Sequence, residues 1–213
     1  MVYRRTPAVV TRLEDNRSRI LAAARDLVAE GGWQHAHVAS VARKAGVATG
    51  TVYRYFPSKA ELFAEVLANV SRRERDVVAA IVDGEGTPSV RLRGAVEAFA
   101  KRALQGRRLA YALIAEPCEP EIDRARLVWR GALCEEFVRI IEIGQQQGSF
   151  RACDARIVGT CVVGAFMEAL VGPLAPEDLG DDAVAQALIR EISDTCLAIV
   201  ALSRPAGRLR RIA

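Results

Sequence analysis

The sequence predicts an all-α fold in two parts, a small N-terminal three-helix unit followed by a larger helical unit. Three observations predict it. Apolar residues recur at helical spacing from residue 16 onward, glycine and proline interrupt them at short intervals, and no stretch alternates as a strand does. At 213 residues and 51% hydrophobic content, the chain can bury one or two sizeable cores.

Residues 1–15 lack periodicity, contain Pro7 and hold Arg4, Arg5 and Arg12, so they read as a basic flexible arm. From Asn16 the pattern turns helical, with Ile20, Ala24, Leu27 and Val28 on one face, Asp15 or Asn16 as the cap, and Gly31-Gly32 as the stop. Val38, Val41, Ala42 and Ala45 then predict a short second helix ending at Gly46. A third runs from Ala48 or Thr49 to about Tyr55, anchored by Val52 and Phe56 and closed by Pro57, because a residue before proline resists the helical region. Ser58-Lys59-Ala60-Glu61 has the form of a capping box and opens a fourth helix reaching about Val82.

Asp83-Gly84-Glu85-Gly86-Thr87-Pro88 is the clearest linker. Beyond it, helices are predicted at about 89–105, 107–116, 120–147, 154–171 and 181–203, separated by Gly106, Pro117 to Pro120, Gly148 and Gly172-Pro173. Residues 204–213 form a basic tail. The expected division is arm 1–15, domain 16–62, domain 63–203 and tail 204–213.

Net charge is only +4, but residues 1–60 carry ten Lys and Arg against four acids, whereas residues 61–213 carry twenty against twenty-two. Such asymmetry suits a polyanion-binding head joined to a neutral partner domain.

The segment from Val38 to Phe56 reads as helix, glycine turn, helix. Ala42 and Ala45 are small enough for close helix approach, Gly46 suits a left-handed turn, and Val47 and Val52 fill the crossing. The second of these helices leaves Thr49, Thr51, Tyr53, Arg54 and Tyr55 outward, hydroxyls and a guanidinium that can meet phosphates and base edges. Gly50 puts no side chain where the helix would come closest to a groove. The pattern is that of a helix-turn-helix for double-stranded DNA, with the arm either a tail without a role or a contact to the DNA backbone or minor groove.

Ala45-Gly46-Val47 followed by Gly50-Thr51-Val52-Tyr53-Arg54-Tyr55-Phe56-Pro57-Ser58-Lys59-Ala60-Glu61-Leu62 resembles the signature of TetR-type regulators, over about residues 17–65. The resemblance implies a three-helix DNA-binding domain and a larger C-terminal helical domain for ligand binding and dimerisation. By the same resemblance Ala48, Thr49, Gly50, Thr51, Tyr53 and Arg54 face the major groove, Tyr55 lies near phosphate, and Lys59 binds the backbone. His37 stands where the family usually has a capping threonine and is either a phosphate donor or an ordinary exposed histidine. Ala48 replaces a common serine, which leaves Thr49 to cap. Arg43 completes the candidate cations.

One such head covers few base pairs, so tight binding to a palindromic operator needs two heads about one DNA turn apart, hence a homodimer. The candidate interface is Val158, Cys161, Val162, Ala165, Phe166 and Ala169 on one helix with Leu188, Ile192, Cys196 and Ile199 on another. An apolar effector chamber is expected to involve Phe99, Tyr111, Arg126, Trp129, Phe137, Met167 and Glu168. Glu168, a lone acid in an apolar helix, would pair Arg126 or Arg130 or meet the ligand. Acyl thioesters, fatty acids and aromatic drugs all fit that chemistry.

An enzyme is not expected, since the chain has no Gly-rich phosphate loop, nucleophile elbow or Glu-x-x-His motif. The five cysteines, Cys118, Cys134, Cys153, Cys161 and Cys196, have neither disulfide nor zinc spacing and read as apolar fillers or a redox-sensing thiol. With His35 and His37 as the only histidines, no metal and no cofactor is expected. No unbroken apolar run approaches the roughly 20 residues of a membrane span, and nothing resembles an export signal, so a cytoplasmic protein without membrane contact is the expectation. The functional expectation is a ligand-relieved repressor, the alternatives being a regulator without an inducer or an activator.

Overall fold

The computed structural model describes residues 7–175 and 182–202, with side chains from residue 13 onward. The expected tail at 204–213 and Arg4 and Arg5 of the expected arm lie outside the described residues. Among those residues there are nine helices and no strand: α1 Pro7–His35, α2 Val38–Ala45, α3 Thr49–Tyr55, α4 Lys59–Val82, α5 Pro88–Gln105, α6 Arg107–Ile114, α7 Pro120–Gln146, α8 Ala155–Leu174 and α9 Asp182–Val200.

The start of α1 corrects the sequence reading, because residues 7–15, expected in the arm, are helical. Pro7 suits a first helical position, where its missing N–H costs nothing, and the helix then propagates without needing an apolar stripe. Near its other end α1 breaks at Gly32, whose φ of 76° and ψ of −173° lie outside the helical region. The positive φ favours glycine, and a Cβ there would also stand 1.9 Å from Arg108 Nη2 and 2.4 Å from both carboxylate oxygens of Glu116, forcing that pair to shift.

The α2–α3 pair is built by local chemistry. Val38, Val41, Ala42 and Ala45 are buried along one face of α2. Gly46 adopts φ 66°; its N–H donates to Arg43 O at 3.2 Å and the N–H of Val47 to Ala42 O at 3.0 Å, a Schellman closure of α2. Ala48 is extended and α3 starts without a side-chain cap, which corrects the expectation that Thr49 caps it. At the head of α4, Ser58 Oγ accepts from Glu61 N at 3.1 Å and lies 3.4 Å from Glu61 Oε1.

Two compact units result. The first holds described residues 7–73, 103–129 and 174–175, the second 74–102, 130–173 and 182–202, a division that cuts through α4, α5, α7 and α8 instead of falling at one boundary in the chain. In the first unit Trp33 and Phe63 pack edge to face with ring centroids 5.5 Å apart, among Ile20, Val41, Val52 and Leu67. In the second, Phe166 lies 4.9 Å from Phe99 and 5.4 Å from Phe137 by ring centroid, among Leu92, Leu133 and Ile140.

Long side chains close the helix ends in each unit. Arg126 of α7 donates from Nε to Leu113 O at 2.9 Å and from Nη2 to Ala112 O at 3.2 Å, satisfying the last carbonyls of α6. Arg91 of α5 caps α4 through Val82 O at 2.7 Å, and Arg151 caps α9 through Ile199 O at 3.0 Å.

One helix bears on the membrane expectation without overturning it. By length and composition alone α8 could cross a bilayer, its most apolar 18-residue window reaching a mean hydropathy of 1.8 despite Glu168, although 44% of that window is buried inside the chain. Arg156 and Glu168 interrupt the helix, so no unbroken apolar run of that length stands in the sequence.

Candidate nucleic-acid interface

The recognition-type surface is set by the register of α3. Val52 points into the core and is 1% exposed, which turns Ala48, Thr49, Gly50, Tyr53 and Arg54 outward; Tyr53 is 48% exposed. Thr51 is half-buried on the flank. Among the described residues, no heavy atom outside its own turn of helix lies within 4 Å of where a Gly50 Cβ would stand, so the centre of this face is open. The groups brought together are one hydroxyl from Thr49, one phenol from Tyr53 and one guanidinium from Arg54. They can donate to phosphate oxygens or base-edge acceptors, and the backbone at Gly50 can approach a groove floor.

Arg43 and His37 are exposed on α2 and just before it, and His37 makes no cap hydrogen bond. Among the described residues no carboxylate pairs with Arg43 or Arg54, so their charges are available. Tyr55 departs from expectation. It is half-buried, and its hydroxyl is buried with no hydrogen-bond partner among the described residues, while the Arg54 guanidinium lies 5.7 Å above its ring. The aromatic body supports Arg54, and the phenol is turned away from solvent.

Lys59 is half-buried, its Nζ 5.7 Å from the Phe63 ring centroid and 3.1 Å from Glu119 Oε1. Nothing in the sequence links residues 59 and 119. A second feature without a sequence signal is a cavity of about 240 Å³ between α1 and α4, rimmed by Arg17, Arg25 and Arg73. Two of these arginines already meet acids: Arg17 lies 3.1 Å from Glu65 and Arg25 lies 2.6 Å from Asp26.

The residues expected at a ligand chamber divide between the units. In the second unit Phe99, Phe137 and Met167 are buried, whereas Glu168 is exposed on α8, which corrects its expected inward placement. In the first unit Trp129 is buried with Nε1 donating to Ser71 O at 3.2 Å, and Tyr111 is half-buried with the Arg108 guanidinium 5.9 Å from its ring. Arg126 is also corrected. Its donors are engaged by Ala112, Leu113 and Glu116 carbonyls, with Asp123 at 2.5 Å, so within the chain it acts as a helix-end clamp.

The expected dimer stripe separates in a similar way. Val158, Val162 and Phe166 on α8 and Ile192 and Cys196 on α9 are buried within the second unit, so these five serve its core. Cys161 and Ala169 are exposed, and Ala165, Leu188 and Ile199 are half-buried. An apolar stripe spaced i, i+4 serves either purpose, and only the packed chain distinguishes them.

The bacterial regulatory proteins of the tetR family match residues 20–66, the span of the helix-turn-helix. The HTH-type transcriptional repressor KstR of Rhodococcus jostii is 43% identical over 60 residues, 28% of each chain, so the similarity covers little more than a quarter of that repressor. The structure of the regulator FadR from Bacillus subtilis in complex with stearoyl-CoA superposes with a TM-score of 0.74 at 20% identity, covering 86% of this chain and 98% of that one. RolR in complex with resorcinol superposes with a TM-score of 0.63 at 22% identity, over 92% of this chain and 98% of the other. These likenesses establish the fold, including the helical C-terminal part.

Proposed function

We propose that this chain, which belongs to the TetR family of bacterial transcriptional regulators, is a dimeric repressor released from its operator by a small, largely apolar ligand bound among the C-terminal helices. The observation that carries this reading is the uncovered α3 face, where Thr49, Tyr53 and Arg54 surround the open backbone at Gly50. A purely structural helix of seven residues would expose Glu, Lys or Gln at such positions.

Base contacts fall to Thr49, Thr51, Tyr53 and Arg54, with Ala48 as the apolar neighbour able to meet a thymine methyl. Phosphate contacts fall to Arg43, His37 and Lys59. Two such heads, each neutralising about three to four phosphates, predict that log affinity falls with log salt at a slope near −6.

Repression relieved by a ligand is supported by kinship of name and fold. The matched relative is a repressor, and structures of like fold hold stearoyl-CoA or resorcinol. In this chain the aromatic cluster Phe99, Phe137 and Phe166 supplies the apolar setting for such a ligand, and Met167 the adaptable side chain. Helix α4 begins with Lys59 in the first unit and ends in the second, so it is the mechanical link by which ligand binding would move the heads.

The deciding experiment selects duplexes from a random library on the purified chain and titrates the winner against salt and against stearoyl-CoA. A steep salt slope and release by the thioester support both parts of the proposal. Indifference to every duplex in dilute buffer removes the first part, and binding that no apolar ligand weakens removes the second. By linkage the operator must weaken ligand binding by the same factor.

A further inference from the structure

Lys59 opens α4 directly after Ser58, and Glu119 directly precedes Pro120, the first residue of α7. Their charged atoms meet at 3.1 Å. Both backbones are fixed at helix starts: Ser58 caps α4 through Glu61 N, while the carbonyl of Glu119 accepts from Ile122 N at 3.0 Å and Asp123 N at 3.2 Å. The connection before Glu119 is pinned as well. Arg126 Nη2 donates to Glu116 O at 2.8 Å, and the Glu116 carboxylate accepts from Trp33 N at 3.3 Å and from Arg108 Nη2 at 3.0 Å. Glu119 is therefore presented to Lys59 by a rigid support. Burial works to raise its carboxyl pKa, but hydrogen bonds from its own backbone amide and from Lys59 outweigh that effect and hold it below the ordinary range, so it is anionic at neutral pH.

A phosphate that approached Lys59 would meet this carboxylate at the same ammonium group. Either the ion pair opens, or two anions share one cation at close range in a site that is only half solvated. Both outcomes subtract from the binding that Lys59 offers.

We infer that Glu119 is an intramolecular competitor for the phosphate contact of Lys59, an acidic stand-in for the DNA backbone that lowers operator affinity. The inference rests on the reading of Lys59 as a phosphate contact.

The test compares duplex binding by the full-length chain and four variants, Glu119→Gln, Lys59→Gln, the double substitution and Glu121→Gln, on the duplex recovered by selection. Glu121 is the control, since its removal changes net charge equally while its partner is Arg124 at 3.9 Å. The pair is half-exposed, so its loss leaves folding intact, which thermal melts verify. Glu119→Gln is expected to bind roughly threefold to tenfold more tightly at low salt, with two heads contributing. Glu121→Gln should change binding by less than about twofold, and the double variant should match Lys59→Gln. A weakened Lys59→Gln beside a Glu119→Gln no tighter than Glu121→Gln overturns the inference alone. Tightening by Glu119→Gln that persists in the Lys59→Gln background also overturns it. If Lys59→Gln binds as tightly as the unaltered chain, the phosphate role of Lys59 fails and the inference goes with it.

Discussion

Trp33 Nε1 donates to the carbonyl oxygen of Ala112 at 2.7 Å, which ties the last turn of α1 to the last turn of α6. The same junction holds a largely buried ion pair, Arg108 to Glu116 at 3.0 Å, whose cation also donates to Gly31 O at 2.8 Å. The turn that launches α2 is thus gripped from both ends of α6.

Removing one partner of such a pair leaves an uncompensated charge in a poorly solvated place. Glu116→Ala is expected to destabilise the chain by about 2–3 kcal/mol, a fall in melting temperature of roughly 5–10 °C for a chain of this length. Gly32→Ala should cost about 2 kcal/mol or more, since it adds a clash with both members of the pair to a positive φ. Chemical denaturation measures both. A neutral Gly32→Ala would mean that α1 is not broken where the structure breaks it.

Gly50 separates stability from recognition. A Cβ there meets no heavy atom within 4 Å among the described residues outside its own turn of helix, and alanine favours a helix more than glycine does. Gly50→Ala is therefore expected to stabilise the fold by about 0.5–1 kcal/mol while weakening duplex binding, because the new methyl stands where the groove floor would approach. Paired melting and binding titrations check it. A variant that is both more stable and an equal binder would show that α3 does not present this face to DNA.

These contrasts mark what could be read from the sequence. The bounds of α2 and α3 were legible because Gly46 and Pro57 act within one turn of where they stand. The start of α1 was not, since residues 7–15 have no apolar stripe and helix propagation does not require one. Glu168 was misplaced because a lone acid on an apolar helix points inward or outward according to a rotation of about one residue. The pairs Lys59 to Glu119 and Trp33 to Ala112 join residues dozens of positions apart, and only the packed chain brings them together. For Tyr55 the helical spacing indicated an outward residue, and packing buried its phenol.

Cysteine chemistry gives a pH-dependent prediction. Cys196 is fully buried, and burial pushes its thiol up to about 11. Below the ordinary thiol value, folded and unfolded chains are equally protonated there. Between about 9 and about 11 the unfolded chain loses the proton and the folded chain keeps it, so stability falls as pH rises through that window. Other groups titrate in the same range, so the readout is a comparison: the fall in melting temperature between pH 8.5 and 10.5 should be shallower in Cys196→Ala. Equal slopes would assign the thiol no part in the fall.

The exposed side of α8 supplies the last prediction. Ile157 is 63% exposed, Cys161 is exposed, and a Cβ at Gly164 or Gly172 would meet no heavy atom within 4 Å. A strip that is small and apolar apart from the exposed Glu168, open along one helix, is what a two-fold partner could cover at close range, and the proposed dimer needs such a face. Gly164→Arg should fold normally, since the side chain enters open space and arginine favours helix over glycine. It should nevertheless run in light scattering as a 23.1 kDa monomer where the unaltered chain runs at about twice that mass. Its affinity for a palindromic duplex should drop towards that of a single head, because two heads about 34 Å apart are no longer linked. Alkylation of Cys161 should become fast in the variant and slow in the dimer. A Gly164→Arg chain that remains dimeric would place the interface elsewhere, and with it the spacing of the recognition helices.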